Sequence, residues 1–396
     1  MHRAFRFKLC PTAEQAEILG QWAGVTRLVF NLALEQRRDF WRQFKANEGR
    51  SISMASQSRE LTALRAANDW IAAVPQTALE AALNDLDRAY TAFFKGVARY
   101  PSPRRYGVND SCRFRGREVI VKRLNRHWGE VRLPKIGWVR CRLHRDMRGS
   151  IVTATVRRQA GTWHVAFAND VGAAPAFNSL PSVGLDRGVA NTVSLSTGEH
   201  VCLPDMSKLE RRRRKAQRIL ARRKRGSKRY AAQRQRLSRV SAKLGRARSH
   251  HLHVASANVV SRFGVVAIED LHIKSMTASA KGTVEKPGRG VRQKAGLNRS
   301  ILAQGWGLLE HMLQYKLEGA GGRLVYVPAP FTSQTCAECG VVDARSRESQ
   351  AVFRCVACGH SDHADTNAAR NIQRGSTAFV EVGHSLPSDE ARTLAA

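Results

Sequence analysis

Two Cys-x-x-Cys pairs near the end of the chain constrain its fold more than any other feature. Cys336 and Cys339 form the first pair, and Cys355 and Cys358 form the second after a gap of fifteen residues. Four thiolates at this spacing suit a tetrahedral Zn²⁺ ion, and a full set of protein ligands leaves no position open for substrate. The pattern predicts one structural zinc ion, and it disfavours the alternative of two reduced pairs without a metal.

Three carboxylates stand in positions that favour chemistry over solvation. Asp186 lies within a predicted strand, Glu269 ends the apolar run VVAIE, and Asp365 begins a predicted helix directly behind the cysteines. Clustered carboxylates repel one another, and a pair of Mg²⁺ or Mn²⁺ ions relieves that repulsion. On a mixed sheet with helices, such a two-ion site hydrolyses phosphodiesters in the manner of ribonuclease H-like nucleases. Each acid alone could also be a surface or capping residue, and Asp362 competes with Asp365 for the third position.

The charge of the chain points to a polyanionic partner. The 66 Lys and Arg outnumber the 32 Asp and Glu, which gives a formal charge of +34. Nineteen Lys or Arg lie between Lys208 and Arg248 against one acid, Glu210. A thin apolar stripe there favours two ordered basic helices, residues 207–249 with a turn at Gly226–Ser227, over a disordered tail. We expect phosphate contacts from eight side chains of this hairpin and from two arginines of an earlier predicted strand. The eight are Arg211, Arg212, Arg213, Arg214, Arg222, Arg223, Lys224 and Arg225, and the two are Arg140 and Arg142.

The first half of the chain alternates between strand and helix patterns. Residues 3–9 alternate apolar and cationic side chains, which predicts a strand. Helices are predicted from Thr12 to about Trp22, again after Gly24 with Leu28 and Leu32 on its apolar stripe, and from Pro75 onward. The helices could form a helix-turn-helix or a plain bundle. Residues 112–169 then predict several short strands of a small barrel or sandwich, to which the N-terminal strand is assigned with the helices inserted.

The sequence also predicts the cellular location of the protein. No apolar run approaches the roughly 18 residues of a membrane span, and residues 1–10 lack a signal-peptide pattern. We therefore expect a cytoplasmic protein without a membrane partner, associated with the nucleoid when it is bound to DNA.

Residues 299–318 predict a single amphipathic helix, after a loop over residues 274–296.

Six motifs appear in a fixed order along the chain and carry a resemblance to a known family. They are VGLDRGVAN, AIEDL, GLNRSILAQGWG, FTSQTCAECG, FRCVACGH and ADTNAARNI. In this order they closely resemble the TnpB family of transposon-encoded RNA-guided DNA endonucleases, which is similar to the type V CRISPR effectors. By motif, the resemblance makes Asp186, Glu269 and Asp365 the catalytic, Mg²⁺-binding acids and the four cysteines the zinc ligands.

The resemblance implies a multidomain α+β architecture: a RuvC-like mixed-sheet nuclease domain with an inserted four-cysteine zinc ribbon, and a wedge β-barrel interrupted by a helical recognition block. The implied boundaries are 1–10 and 107–172 for the wedge barrel, 11–106 for the helical block, 182–328 and 360–375 for the nuclease domain, 329–359 for the ribbon, and 376–396 for a flexible tail.

The function implied is RNA-guided, divalent-metal-dependent cleavage of target DNA, with a guide RNA derived from the transposon end. The expected form is a monomer bound to RNA, although the sequence does not decide the oligomeric state. Three alternatives stay open at this point: a nuclease-inactive RNA-guided repressor, a transposase that performs strand transfer, and a compact type V CRISPR effector. The presence of all three acids argues against the repressor.

Overall fold

The computed structural model describes residues 1–44, 52–283 and 285–381. They divide into two units, the first ending at Ala173 and the second beginning at Ala174. The strands of the first unit are β1 (His2–Lys8), β2 (Ser111–Arg115), β3 (Ile120–Arg123), β4 (Gly129–Leu133), β5 (Gly137–Cys141), β6 (Ser150–Gln159) and β7 (Thr162–Asp170). Its helices are α1 (Ala13–Phe44), α2 (Met54–Ala66), α3 (Asp69–Ala72) and α4 (Gln76–Phe94).

Two antiparallel sheets make up the β part of the first unit, in the orders β1-β7-β6-β2 and β3-β4-β5. The N-terminal strand pairs with β7 from His2 opposite Asp170 to Lys8 opposite His164, as the sequence predicts. An isolated bridge between Leu9 and Cys141 links the two sheets. The helices are therefore an insertion between the first strand and its partners.

The predicted break between two helices at Gly24 is wrong, because α1 runs unbroken through it. A glycine inside a helix costs only about 1 kcal/mol relative to alanine. Trp22, Val25 and Val29 are buried on either side of it, and their packing offsets that cost. The predicted stripe is wrong as well, since Leu28 and Leu32 are 39% and 47% exposed.

The second unit is built on a mixed sheet. Its strands are β8 (Ser182–Asp186), β9 (Val193–Leu195), β10 (His200–Val201), β11 (Val265–Glu269), β12 (Arg323–Val327), β13 (Val352–Arg354) and β14 (Ser361–His363). Its helices are α5 (Ser207–Ala221), α6 (Lys228–Arg262), α7 (Ile273–Met276), α8 (Val291–Gln304), α9 (Trp306–Glu318) and α10 (Ala364–Glu381). The main sheet has the order β10-β9-β8-β11-β12, in which β8, β11 and β12 are parallel to one another, β9 is antiparallel to β8, and β10 is antiparallel to β9.

The single helix predicted over residues 299–318 is wrong, because Gly305 separates α8 from α9. Gly305 has φ = 74°, a left-handed conformation that favours glycine. A β-carbon there would also lie 3.1 Å from both Arg248 and Leu252 on α6. The close approach of α6 and the backbone conformation together require glycine at this position.

The last helix differs from the predicted tail. Helix α10 extends to Glu381, and Ser376, the first residue of the predicted tail, is buried and donates a hydrogen bond to the Gln373 carbonyl. Residues 382–396 lie outside the described chain. Strand β14 pairs with β13, so the small sheet of the cysteine region extends past the predicted boundary at 359. Among the described residues, none of the helices combines the length and apolar character of a membrane span.

Candidate functional site

The parallel strands β8 and β11 bring two of the three predicted acids to one edge of the sheet. Leu185 is in register with Ile268, so that Asp186 and Glu269 follow at the carboxyl ends of neighbouring strands. Helix α10 lies directly on β8: a β-carbon on Gly184 would come within 2.0 Å of the Ala369 carbonyl oxygen. This close packing places Asp365, in the first turn of α10, beside the two strand ends.

Asp186 carries the electrostatic signature of a carboxylate cluster. Burial, and after it the nearby Glu269 and Asp365 carboxylates, raise the pKa of Asp186 to about 7, against the opposing effect of Arg347. The sheet edge therefore holds more negative charge than the protein itself neutralises. Oxygen donors with unbalanced charge are the donor set that Mg²⁺ and Mn²⁺ prefer, so the residues fit such ions.

Each of the other two acids is held by a neutral donor that the sequence reasoning did not single out. Thr332 donates its hydroxyl to Glu269 Oε1 over 2.6 Å, and Asn191 Nδ2 donates to Asp365 Oδ2 over 3.3 Å. Arg347 also lies 3.6 Å from Asp365 Oδ1. Thr332 and Asn191 both stand inside the quoted motifs, FTSQTCAECG and VGLDRGVAN, and this was the available signal.

The four cysteines converge as a tetrahedral metal site requires. The Sγ atoms of Cys336 and Cys358 are 3.7 Å apart, and those of Cys339 and Cys355 are 3.6 Å apart. A tetrahedron with Zn–S bonds of about 2.3 Å has S···S edges of about 3.8 Å. All four sulfurs lie within 4.8 Å of one another. Among the described residues, the oxygens of Asp186, Glu269 and Asp365 do not all come this close to one another. The cluster fits a structural zinc ion.

The cysteine region is joined to α10 through the buried side chain of Asn367. Its Oδ1 accepts from the Ala337 amide over 2.8 Å, and its Nδ2 donates to the Thr335 carbonyl over 2.7 Å. Asn371, one turn later, donates to the carbonyls of Thr332 and Thr335. The segment leading into the first cysteine pair therefore contacts the same helix that carries Asp365.

Asp362, the competing acid, has a different environment. It pairs with Arg370 over 3.0 Å, and its carboxylate is not among the groups that raise the pKa of Asp186. His363 lies between the two acids in sequence, accepts a hydrogen bond from the Asp365 amide, and packs its ring against His200. Asp365 is thus the acid that the structure brings to Asp186.

The predicted nucleic-acid contacts lie mainly on exposed surfaces. In the helical hairpin of α5 and α6, all eight predicted side chains are exposed except Arg213, which is half-buried. In the first unit, Arg140 and Arg142 are exposed and both lie over the ring of Trp128, with their guanidinium carbons 4.3 Å and 4.2 Å from the ring centre. Stacking leaves the outer edges of these guanidinium groups available to a phosphate.

Comparison with known proteins identifies three matching family models. A "Probable transposase" model matches residues 165–280, a "Cas12f1-like, TNB domain" model matches residues 306–372, and a "Helix-turn-helix domain" model matches residues 1–46. Over the last range the structure has a strand followed by one continuous helix. The second range contains the four cysteines and Asp365.

Solved structures similar to this chain share its fold at low sequence identity. The Cas12f1–sgRNA–target DNA complex contains a chain with a TM-score of 0.57 and 13% identity, covering 94% of this chain and 98% of that chain. The mini-RNA-guided endonuclease CRISPR-Cas_phi3 has a TM-score of 0.52 and 9% identity, covering 95% and 92%.

Two curated relatives match along nearly the whole chain. "Putative RNA-guided DNA endonuclease InsQ" of Escherichia coli is 34% identical over 98% of this chain and 95% of that protein. "Putative RNA-guided DNA endonuclease" of Streptomyces pristinaespiralis is 30% identical over 97% and 92%. Because this identity extends over almost the full length of both proteins, the chain belongs to the TnpB family, whose curated members carry the name RNA-guided DNA endonuclease.

Proposed function

We propose that this chain is an RNA-guided, divalent-metal-dependent DNA endonuclease of a mobile element. The observation that carries the proposal is the convergence of Asp186, Glu269 and Asp365 at one sheet edge in a family named for this activity. Guide RNA and target DNA are its partners, and the charge of +34 provides the attraction that such polyanions require.

A RuvC-like, ribonuclease H-like nuclease domain is the architecture that we assign to the second unit. The sheet order β10-β9-β8-β11-β12, with β11 and β12 parallel to β8, supports it. We likewise assign the wedge-barrel role to residues 1–10 and 107–172, the recognition role to residues 11–106, and the ribbon role to residues 329–359. The antiparallel sheets around the inserted helices support the first two assignments.

Asp186, Glu269 and Asp365 would hold the divalent ions, which when bound supply an activated water and stabilise the leaving oxygen of the phosphodiester. The other residues serve the acids. Thr332 fixes one oxygen of Glu269, and Asn191 fixes one oxygen of Asp365, so that neither carboxylate rotates freely. Pairing between guide and target reads the sequence, while exposed arginines hold the backbones without reading it.

The test begins with the RNA that copurifies with the full chain. Sequencing that RNA gives the guide, and a duplex matching it is the substrate for single-turnover cleavage with Mg²⁺. We expect cleavage to require both the RNA and Mg²⁺, and we expect Asp365→Asn to reduce it to background while target binding is retained. Asp362→Asn is the matched control and should cleave like the unmodified protein, because Asp362 pairs with Arg370 outside the cluster.

Two outcomes would overturn this proposal. Equal cleavage after ribonuclease treatment would support an unguided nuclease or transposase. RNA-dependent target binding without cleavage, in Mg²⁺ and in Mn²⁺, would support the repressor instead.

A further inference from the structure

A buried guanidinium lies next to the catalytic edge and has no part in the chemistry proposed above. Arg187 directly follows Asp186, and its side chain is 2% exposed. Burying a cation is unfavourable unless it is paired and hydrogen-bonded. The partners of Arg187 therefore indicate why a charge is present at this depth.

Arg187 bridges two acceptors on different elements. Its Nη1 donates to Glu310 Oε2 on α9 over 3.0 Å, and its Nη2 donates to the backbone carbonyl of Glu269 at the end of β11. The other oxygen of Glu310 accepts from the Tyr326 hydroxyl on β12 over 3.0 Å. Arg187, at the end of β8, thus bonds the end of β11 directly and is linked to β12 through the Glu310 carboxylate. The hydrogen bonds of Glu310 in this network are charge-assisted.

These contacts involve the backbone at Asp186 and Glu269. Arg187 is one residue beyond Asp186, and its backbone amide also stabilises the Asp186 carboxylate. The carbonyl that it binds belongs to Glu269 itself. Neighbouring strands are joined by backbone hydrogen bonds along their length, but the pairing of β8 with β11 ends at Leu185 and Ile268. Beyond that pair, the guanidinium is a direct link between the two acid-bearing backbones.

We propose that Arg187 is a positioning residue, and that the Arg187–Glu310–Tyr326 network sets the separation of the Asp186 and Glu269 carboxylates for the divalent ions. The proposal rests on the proposed function, since it concerns the same site. It differs from a simple structural role in one testable way. A buried ion pair can often be replaced by apolar residues of similar volume without loss of stability, so stability and positioning can be separated.

The central experiment replaces the pair by apolar side chains in the full chain bound to its RNA. For Arg187→Met combined with Glu310→Leu, we expect a folded protein with unchanged target binding and a moderately lower melting temperature, because the Glu269 carbonyl and the Tyr326 hydroxyl each lose a hydrogen bond. We expect single-turnover cleavage to fall about 100-fold, because misplacing reacting groups by about 1 Å has an effect of that order. The Mg²⁺ concentration for half-maximal cleavage should rise about tenfold, which is the signature of a metal site with altered spacing.

A second readout does not depend on cleavage. Mg²⁺ bound to the carboxylates should raise the melting temperature of the unmodified protein by mass action. Asp186→Ala supplies the baseline for Mg²⁺ bound to RNA and elsewhere on the protein. We expect the double variant to lose most of the Mg²⁺-dependent rise above that baseline. Val260→Ala, which removes buried methyl groups from the core of the same unit, is the stability control and should keep both the rise and the Mg²⁺ requirement.

Shape-preserving variants keep the proposal testable if the double variant does not fold. Tyr326→Phe and Glu310→Gln each weaken one link of the network, and both should raise the Mg²⁺ concentration that cleavage requires. The Mg²⁺ requirement of Arg187→Lys should lie between that of the unmodified protein and that of Arg187→Met. The proposal is wrong if the folded double variant, or both shape-preserving variants, keep the Mg²⁺ dependence of the unmodified protein. Failure of the unmodified protein to cleave would instead count against the proposed function, and the melting readout would still test the network.

Discussion

The four-cysteine cluster and the three-carboxylate edge are two candidate metal sites built on opposite principles. The cysteines lie within one short stretch of chain, and their sulfurs already have the spacing of a zinc tetrahedron. The acids are distant in sequence and come from two strands and a helix, and burial together with their mutual repulsion raises the pKa of Asp186 to about 7. The first site has a full set of four ligands from one segment of the chain. The second is open and stays electrostatically unfavourable without a cation.

The difference separates a site that stabilises the fold from one that acts at the expense of the fold. Structural zinc contributes folding free energy directly, because the ligands must come together to bind it. Clustered carboxylates cost folding free energy until a cation and a substrate arrive. The two sites nevertheless share α10, since Asn367 binds the cysteine region and Asp365 belongs to the acid cluster. The predictions below test how far the two sites can be separated.

Removing a zinc ligand should have the largest effect. We expect Cys336→Ser to abolish zinc binding and to lower the stability of the second unit by about 5 kcal/mol or more, given the binding energy of structural zinc. Metal analysis and thermal unfolding of the full chain measure both, and Cys10→Ser, outside the cluster, is the control. If Cys336→Ser kept its stability and its target binding but lost cleavage, the cysteine site would not be a purely structural one.

Cutting the connection between the two sites should have the next largest effect. Asn367→Ala removes two buried hydrogen bonds and leaves the Ala337 amide unpaired, which should cost about 2–4 kcal/mol. Zinc content should stay at one ion per chain while cleavage falls, because Asp365 loses its support. Denaturant unfolding, zinc analysis and cleavage should be measured together. Loss of zinc from this variant would show that α10 is needed to build the cysteine site as well.

Neutralising an acid should stabilise the metal-free protein. The folded-state pKa of Asp186 is raised from 3.8 to about 7, so the stability linked to its proton is complete below pH 3.8 and is lost as the pH rises through 7. Asp186→Asn does not titrate and should be more stable by about 1–3 kcal/mol at pH 8, with little gain at pH 4. Thermal unfolding in Mg²⁺-free buffer without a chelator, which leaves the zinc in place, measures this. A gain that did not depend on pH would contradict the carboxylate-cluster interpretation.

The hydroxyl that holds Glu269 should have the smallest effect. Thr332→Val preserves the shape of the side chain and removes the hydrogen bond to Glu269, so we expect stability to change by about 1 kcal/mol or less. Cleavage at limiting Mg²⁺ should fall, with recovery at high Mg²⁺ and in Thr332→Ser. Thr335→Val is the matched control, because its hydroxyl binds the Phe331 carbonyl and no acid. Equal behaviour of the two valine variants would assign Thr332 a purely local role.

Two glycines show how far the fold could be predicted from sequence. Gly24 suggested a helix end, and the helix continues through it because its neighbours are buried. Gly305 stands inside a stretch with helical periodicity, and the helix ends there at a left-handed backbone conformation, with α6 packed close by. The same residue type gives opposite outcomes, and the deciding contacts come from residues far along the chain. Similarly, Leu28 and Val29 both lie on helical stripes, and only packing selects the second for the core.

The sequence by itself determined the features whose chemistry is written in local spacing. These are the four cysteines of the candidate zinc site, the basic helical hairpin and most of the strands, for which residue types at short intervals are sufficient. The family and the three candidate acids, which are far apart in sequence, came from the motifs. The prediction of Asp365 over Asp362 also rested on its motif.

Only the tertiary structure decided which side chains support those acids. The motifs that predict the site residues also contain Thr332, Asn191, Asn367 and Arg187, yet the partners of these four residues lie on other elements. Hydrogen bonds depend on separations of a few ångströms between groups that the chain order leaves unrelated. The sequence therefore identifies the candidate metal ligands, whereas the packing of α9, α10 and the sheet determines how they are held.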